Sequence, residues 1–325
     1  MEESEMTSLP RLSLRLLTLA AALAAQLANA SPLSECLGFK PGDKVLVVNA
    51  DDVGMHPDLD RAAFALIDNG RIQSLSLMPP TPNFAQAAQM AKSRKLAVGV
   101  HLTLTNEWQA AQPWGTVLPK AEVPSLYNPQ GRLWATTEEV ARHAKPEEAR
   151  KELLAQIAKA RAAGLTLTHL DAHMVFWAAS PDLFKLYVSL PGETGIPVVM
   201  QGSGMPVADQ LAATHDLQVN GVLTPDAFFM RYDPPRRRPG QRYAGYDDLF
   251  AQLPAGISHL AIHPGTDTPS ARAAIADLTL RLSDFAVWND AATAKLGKGT
   301  LHTDYRALQA MQARINAGDE RCLKR

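Results

Sequence analysis

Residues 45–54, VLVVNADDVG, decide how this chain is read. An apolar run of buried-strand length stops at Asn49, Ala50, Asp51 and Asp52, and Gly54 follows as a turn residue. Two adjacent carboxylates therefore stand where a strand ends. In proteins that alternate strands and helices, the C-terminal ends of parallel strands form the mouth where chemistry is placed. The competing reading is that Asp51 and Asp52 only cap the helix that follows.

Working outward, a helix over 57–69 starts with proline and is closed by Gly70. A strand over 71–78, a helix over 83–93 capped by Asn83 and a strand over 96–104 complete a βαβαβ run, which implies parallel strands. Residues 106–145 lose periodicity and scatter Trp108, Trp114, Tyr127 and Trp134 among prolines and glycines. So long a loop suits a functional segment, whether its aromatics stack on sugar rings or simply pack. The segment 146–163 is an amphipathic helix with an acidic start. Beyond it come strands over 165–173, 196–201 and 258–263, and helices over 180–190, 270–288 and 302–316. Residues 202–254 are hard to read, and PPRRRPG around Arg236 has the character of an exposed loop. The expected fold is α/β: a distorted, TIM-like (β/α) barrel in a single domain, with a doubly wound sheet as the alternative.

Upstream, Arg11 and Arg15 precede LLTLAAALAAQLANA, the charged, apolar and small-residue parts of a secretory leader. The run is short for a membrane span. The expected organisation is a signal peptide over 1–30, a linker over 31–43, a catalytic domain over 44–317 and a tail over 318–325. Met6 offers a start that leaves out the glutamates before it. Export predicts a periplasmic or secreted protein with no membrane span after cleavage. Cys36 and Cys322 are the only two cysteines, and an oxidising compartment would let them join the ends of the mature chain. A net charge of -1 provides no field for nucleic acid. An oligomer is compatible with the sequence.

The residues that carry chemistry recur at strand ends. In LTLTHLDAH, alternation puts His169, Asp171 and His173 on one face. In an extended strand His169 and His173 would be roughly 13 Å apart, too far to share an ion whose Zn–N distances are about 2.1 Å. His173 is the ligand nearer the mouth, leaving His169 and Asp171 as supporting groups or substrate contacts. His101 sits late in another strand, and His263 just after a third. One carboxylate and two imidazoles suit Zn²⁺ or another divalent ion that activates water. A spare aspartate could act as base and a spare histidine as acid for a departing amine. Strand parity does not distinguish Asp51 from Asp52.

The motifs NADDVG (49–54), GVHLTLT (99–105), THLDAH (168–173) and HPGTD (263–267) resemble, in order and spacing, those of the YdjC/ChbG/HpnK carbohydrate deacetylases. The resemblance runs from Lys44 to Trp288. It implies a distorted (β/α) barrel that removes an N-acetyl group from an acetylated amino sugar with a divalent metal, Mg²⁺ or Zn²⁺. It makes Asp52, His101 and His173 the metal ligands, Asp51 the base and His263 the acid. His169, Asp171, Asp267 and Trp108 are then candidates for substrate contact. The chain departs from the family at Val53, where phenylalanine is frequent, and at Met174–Trp177, where further histidines are frequent; a changed substrate pocket is expected. The other readings are a carbohydrate-binding protein with the aromatic loop as platform, and a non-haem Fe(II) oxygenase using the same three ligands.

Overall fold

The computed structural model describes residues 32–109, 111–231, 246–295 and 297–323. The leader and the PPRRRPG loop lie outside the described residues, as does the last pair of the tail. The elements run α1 (Pro32–Cys36), β1 (Lys44–Val53), α2 (Pro57–Asp68), β2 (Ser74–Leu77), α3 (Phe84–Ser93) and β3 (Ala97–Leu102). Then come α4 (Thr137–His143), α5 (Pro146–Ala162), β4 (Thr166–Ala172), α6 (Pro181–Thr194), α7 (Val207–Val219) and β5 (Ala227–Met230). The chain continues through α8 (Tyr246–Gln252), β6 (Gly256–Ile262), α9 (Pro269–Ala274), α10 (Leu278–Asn289), β7 (Leu301–His302) and α11 (Arg306–Asn316).

The strands are parallel and ordered β4-β3-β2-β1-β6-β5, with β7 also pairing to β1. Central strand β1 is buried from Val45 to Val53, because apolar residues of both pleat faces meet cover. The outer strands β4 and β5 are bridged by irregular backbone. Val199 N–H donates to Leu170 O at 2.8 Å, and Val198 N–H donates to Leu223 O at 3.1 Å, just before β5. The sheet is thus a distorted (β/α) barrel, with an irregular segment where a regular strand was expected over 196–201. All the strand C-termini open on one side, which collects the polar ends of β1, β3, β4 and β6.

Four further expectations need correcting. The single helix expected over 270–288 is two, α9 and α10, separated where Ile275 turns extended. The last helix starts at Arg306, because Leu301 and His302 pair with β1. The stretch expected as a linker contains α1, whose Leu33 is buried beside Val45, Ile257 and Met311. Asn83 caps nothing with its side chain, which donates instead to Asp60.

The long loop is tied down by α5. Glu152 accepts from Val117 N–H at 2.8 Å and Leu118 N–H at 3.0 Å, and Gln156 accepts from Thr103 N–H at 2.9 Å. Trp114 is buried and donates to Thr105 O, while Trp134 donates to Ser125 O and stacks on His143. These rings pack the loop. Cys36 and Cys322 form a disulfide across a sequence separation of 286, tying α1 to the chain's end.

Candidate metal centre

A break in the regularity of β1 builds the site. Against β2, Ala50 pairs with Leu75 but Val53 pairs with Leu77, so β1 carries one extra residue between them. Asp52 takes up that residue with φ +63. In a regular strand Asp51 and Asp52 would face opposite sides; the bulge lets both line one cavity. Gly54 completes the turn at φ +99, where a Cβ would stand 3.1 Å from Thr81 Oγ1 and 3.2 Å from Phe84 Cα. The turn is braced on both sides, with Gly54 N–H donating to Asp60 at 2.6 Å and Thr81 Oγ1 donating to Gly54 O at 2.7 Å.

Three strand ends then converge. His101 Nε2 and His173 Nδ1 each lie 3.3 Å from Asp52 Oδ1. That oxygen is buried and receives no hydrogen bond of ordinary geometry. A buried carboxylate oxygen between two imidazole nitrogens is a donor set for a divalent cation, and the three ligand atoms lie within 4.8 Å of one another. The residues present therefore fit a metal.

Each imidazole is held from behind by a carboxylate. His101 Nδ1 is 2.9 Å from Asp171 Oδ1, and His173 Nε2 is 2.9 Å from Glu107 Oε2. Such partners fix the tautomer and ring orientation of a metal-binding histidine. Asp171 is fixed in turn by Ser76 Oγ at 2.7 Å and Asn49 Nδ2 at 3.3 Å.

The electrostatics separate the paired aspartates. Burial would raise Asp52, but the Arg281 guanidinium, with His101 and His173, holds its carboxyl well below the usual range. Asp51 is pushed up to about 8 by burial and by the charges of Asp171 and Asp52, against the pull of His101 and a hydrogen bond from Asn49. Burial disfavours charge on His173, yet Glu107 and Asp52 carry it up to about 9, and Asp171 and Asp52 likewise raise His101. A bound cation would displace the proton from each ligating nitrogen. His263 Nε2 lies 3.9 Å from Asp51 Oδ2, and burial drives this imidazole down to about 3, so it rests neutral.

These groups open on a cavity of about 490 Å³, also lined by Trp108, Met174, Val175 and Met230. Of the residues singled out in the sequence, Asp51, Asp52, His101, His173, His263 and Trp108 line it. The other three stand elsewhere. Asp171 is fully buried behind His101. His169 lies deeper, stacked on Tyr305 at 4.0 Å and filling the space a Cβ on Gly99 would need. Asp267 is exposed and paired with Arg272 at 2.6 Å. None of the three lines the cavity, so direct substrate contact does not follow from their positions. Asn49, Glu107 and Arg281 were not singled out. Asn49 and Glu107 lie within or just after the quoted motifs, which was a usable signal; Arg281 sits on a helix with none.

Residues 45–298 match the family model described as YdjC-like protein. A carbohydrate deacetylase of Thermus thermophilus is 32% identical over 258 residues, covering 78% of this chain and 89% of its own. A carbohydrate deacetylase of Enterococcus faecalis is 29% identical over 194 residues, covering 58% of this chain and 69% of its own. A crystal structure from Enterococcus faecalis V583, provisionally named a cellobiose-phosphate cleavage protein, superposes with a TM-score of 0.70 at 23% identity. It covers 82% of this chain and 99% of that one, and shows the same fold. With sequence motifs, barrel and family model all in agreement, this chain belongs to the YdjC-like family.

Proposed function

We propose that this protein is a metal-dependent hydrolase that removes the N-acetyl group from an acetylated amino sugar or its oligomer. One observation carries the reading. Asp52 Oδ1 faces two imidazoles that are each backed by a carboxylate, with a second Asp–His pair beside them. The carbohydrate deacetylases among its relatives support it.

Asp52, His101 and His173 would hold the cation, and two imidazole donors favour Zn²⁺ or a similar ion over oxygen-seeking Mg²⁺. When bound, such an ion polarises the acetyl carbonyl and acidifies a water. Asp51, held protonated at neutral pH by burial and by the charges of Asp171 and Asp52, would accept the proton of that water once the cation's charge had lowered its own pKa. His263, neutral at rest, cannot protonate the departing amine until it gains a proton, and Asp51 at 3.9 Å is the neighbour that supplies it. Trp108, in the cavity wall, is the aromatic side chain on which a sugar ring would stack.

The disulfide and the leader-like start support an exported protein acting in the periplasm or outside the cell. Among the described residues no helix is long and apolar enough to cross a membrane.

The test is acetate release from N-acetylglucosamine oligomers, with and without chelator, by wild type and Asp51→Asn. Chelator-sensitive release that the mutation abolishes supports the reading. Unchanged release in the mutant removes Asp51 as base. Tight sugar binding with no release from any acetylated sugar turns the protein into a binding module.

A further inference from the structure

Arg281 is almost wholly buried at the first turns of α10, a helix that none of the sequence motifs reaches. Its Nη1 lies 2.8 Å from Asp52 Oδ2, and its Nε lies 3.0 Å from both carboxylate oxygens of Asp277. Asp52 is thereby divided between two tasks, with Oδ2 facing the guanidinium and Oδ1 facing His101 and His173.

We propose that Arg281 is a positioning residue that restricts Asp52 to a single metal-binding oxygen and so keeps coordination positions open for water and the acetyl oxygen. This rests on the metal-dependent reading above. A carboxylate with both oxygens free can close on a cation through both, whereas catalytic sites depend on few protein ligands and vacant positions. Here the second oxygen is held by a planar, permanently charged group that is itself clamped by Asp277.

The fold keeps Arg281 in place. Its carbonyl accepts Gly265 N–H at 3.1 Å, and a Cβ on Gly265 would meet Arg281 Cβ at 3.0 Å, so α10 is seated directly on the turn after β6. From the same helix Asp284 accepts His263 N–H at 2.8 Å. One helix therefore orients a metal ligand through Arg281 and the backbone of the acid histidine through Asp284.

A fixed positive charge beside a dication weakens cation binding by repulsion, so its presence is explained by geometry rather than affinity. That sets apart two outcomes that a purely structural arginine would link. The experiment uses the purified protein loaded with Co²⁺, reading affinity by titration and coordination by the visible absorption spectrum, beside kcat for acetate release with Zn²⁺. Arg281→Gln is expected to bind Co²⁺ at least as tightly as wild type, with an altered spectrum, while kcat falls on the order of 10–100-fold. Arg281→Lys should restore the spectrum and part of kcat, because an ammonium can still occupy Oδ2.

A wild-type spectrum and kcat in Arg281→Gln overturn the proposal, and so does a parallel loss of affinity and kcat. Should Arg281→Gln fail to fold, Asp277→Asn, which frees the far side of the guanidinium, must show the altered spectrum and lowered kcat; wild-type behaviour there overturns it equally. Failure of the underlying reading is visible separately, as Co²⁺ binding that survives in His101→Ala and His173→Ala.

Discussion

Asp171 Oδ1 lies 2.9 Å from His101 Nδ1, on the side of the ring away from Asp52. An ionised Asp171 accepts a hydrogen bond from Nδ1–H, which keeps the proton on Nδ1 and leaves the Nε2 lone pair free on the side of Asp52. Asp171→Asn lets an amide N–H face Nδ1 instead, which favours the tautomer with its proton on Nε2. Zn²⁺ affinity is expected to fall on the order of 10–100-fold with little change in fold. Metal titration with circular dichroism checks this, and wild-type affinity removes Asp171 from its supporting role.

Glu107 does for His173 what Asp171 does for His101, but with its side chain 24% exposed at the cavity. Glu107→Gln should lower Zn²⁺ affinity about tenfold, at the gentler end for such partners, since solvent can replace part of the contact. Its melting temperature should stay near wild type. A mutant that melts early yet binds Zn²⁺ normally would assign Glu107 to packing.

Burial holds His169 down to about 4 and His259 to about 3, from an ordinary 6.5. Both are neutral when folded and would gain protons when unfolded. Their contribution to stability is therefore complete above pH 6.5 and is lost as pH falls toward those lowered values. Each adds a slope of up to about 1.4 kcal/mol per pH unit in that window. His259→Asn should flatten the acid limb of a stability-versus-pH curve measured by urea melts between pH 6.5 and 4; an unchanged slope rejects the assignment.

The Cys36–Cys322 bond spans 286 residues and fastens α1 beside α11 through a small apolar cluster. Restricting so long a loop in the unfolded chain stabilises the fold by about 2–5 kcal/mol. Cys36→Ala with Cys322→Ala should lower the melting temperature by several degrees while leaving Zn²⁺ affinity unchanged, because the metal position lies at the other strand ends. Equal melting with and without reductant would show that the bond adds nothing.

The strand-end residues were legible because their signal is local: an apolar run that stops at an ionisable group needs only the next few residues to be recognised. For the same reason β3, β4 and β6 were found near their observed bounds, whereas β1, expected over 44–49, runs on through Asp51 and Asp52 to Val53. The break between α9 and α10 was not, since residues 270–288 keep an acceptable helical pattern throughout and only seating against β6 and α2 decides where the helix must turn. Residues 202–254 hid α7, β5 and α8, because α7 buries polar side chains such as Gln210, Thr214 and Gln218 that satisfy the backbone around β5.

What the amino-acid sequence by itself determined was the supply of chemistry: paired aspartates, two histidines placed to bind a metal and a third histidine, each at the end of a strand, in an α/β chain. What tertiary structure alone decided was their orientation. Parity along β1 sends Asp51 and Asp52 apart, and only the bulge against β2 returns both to one cavity. Arg281 and Glu107 gain their roles from contacts across 229 and 66 residues of chain, which no local pattern encodes. Residue type and spacing follow from the covalent chain, whereas the direction of a side chain depends on what the rest of the fold packs against it.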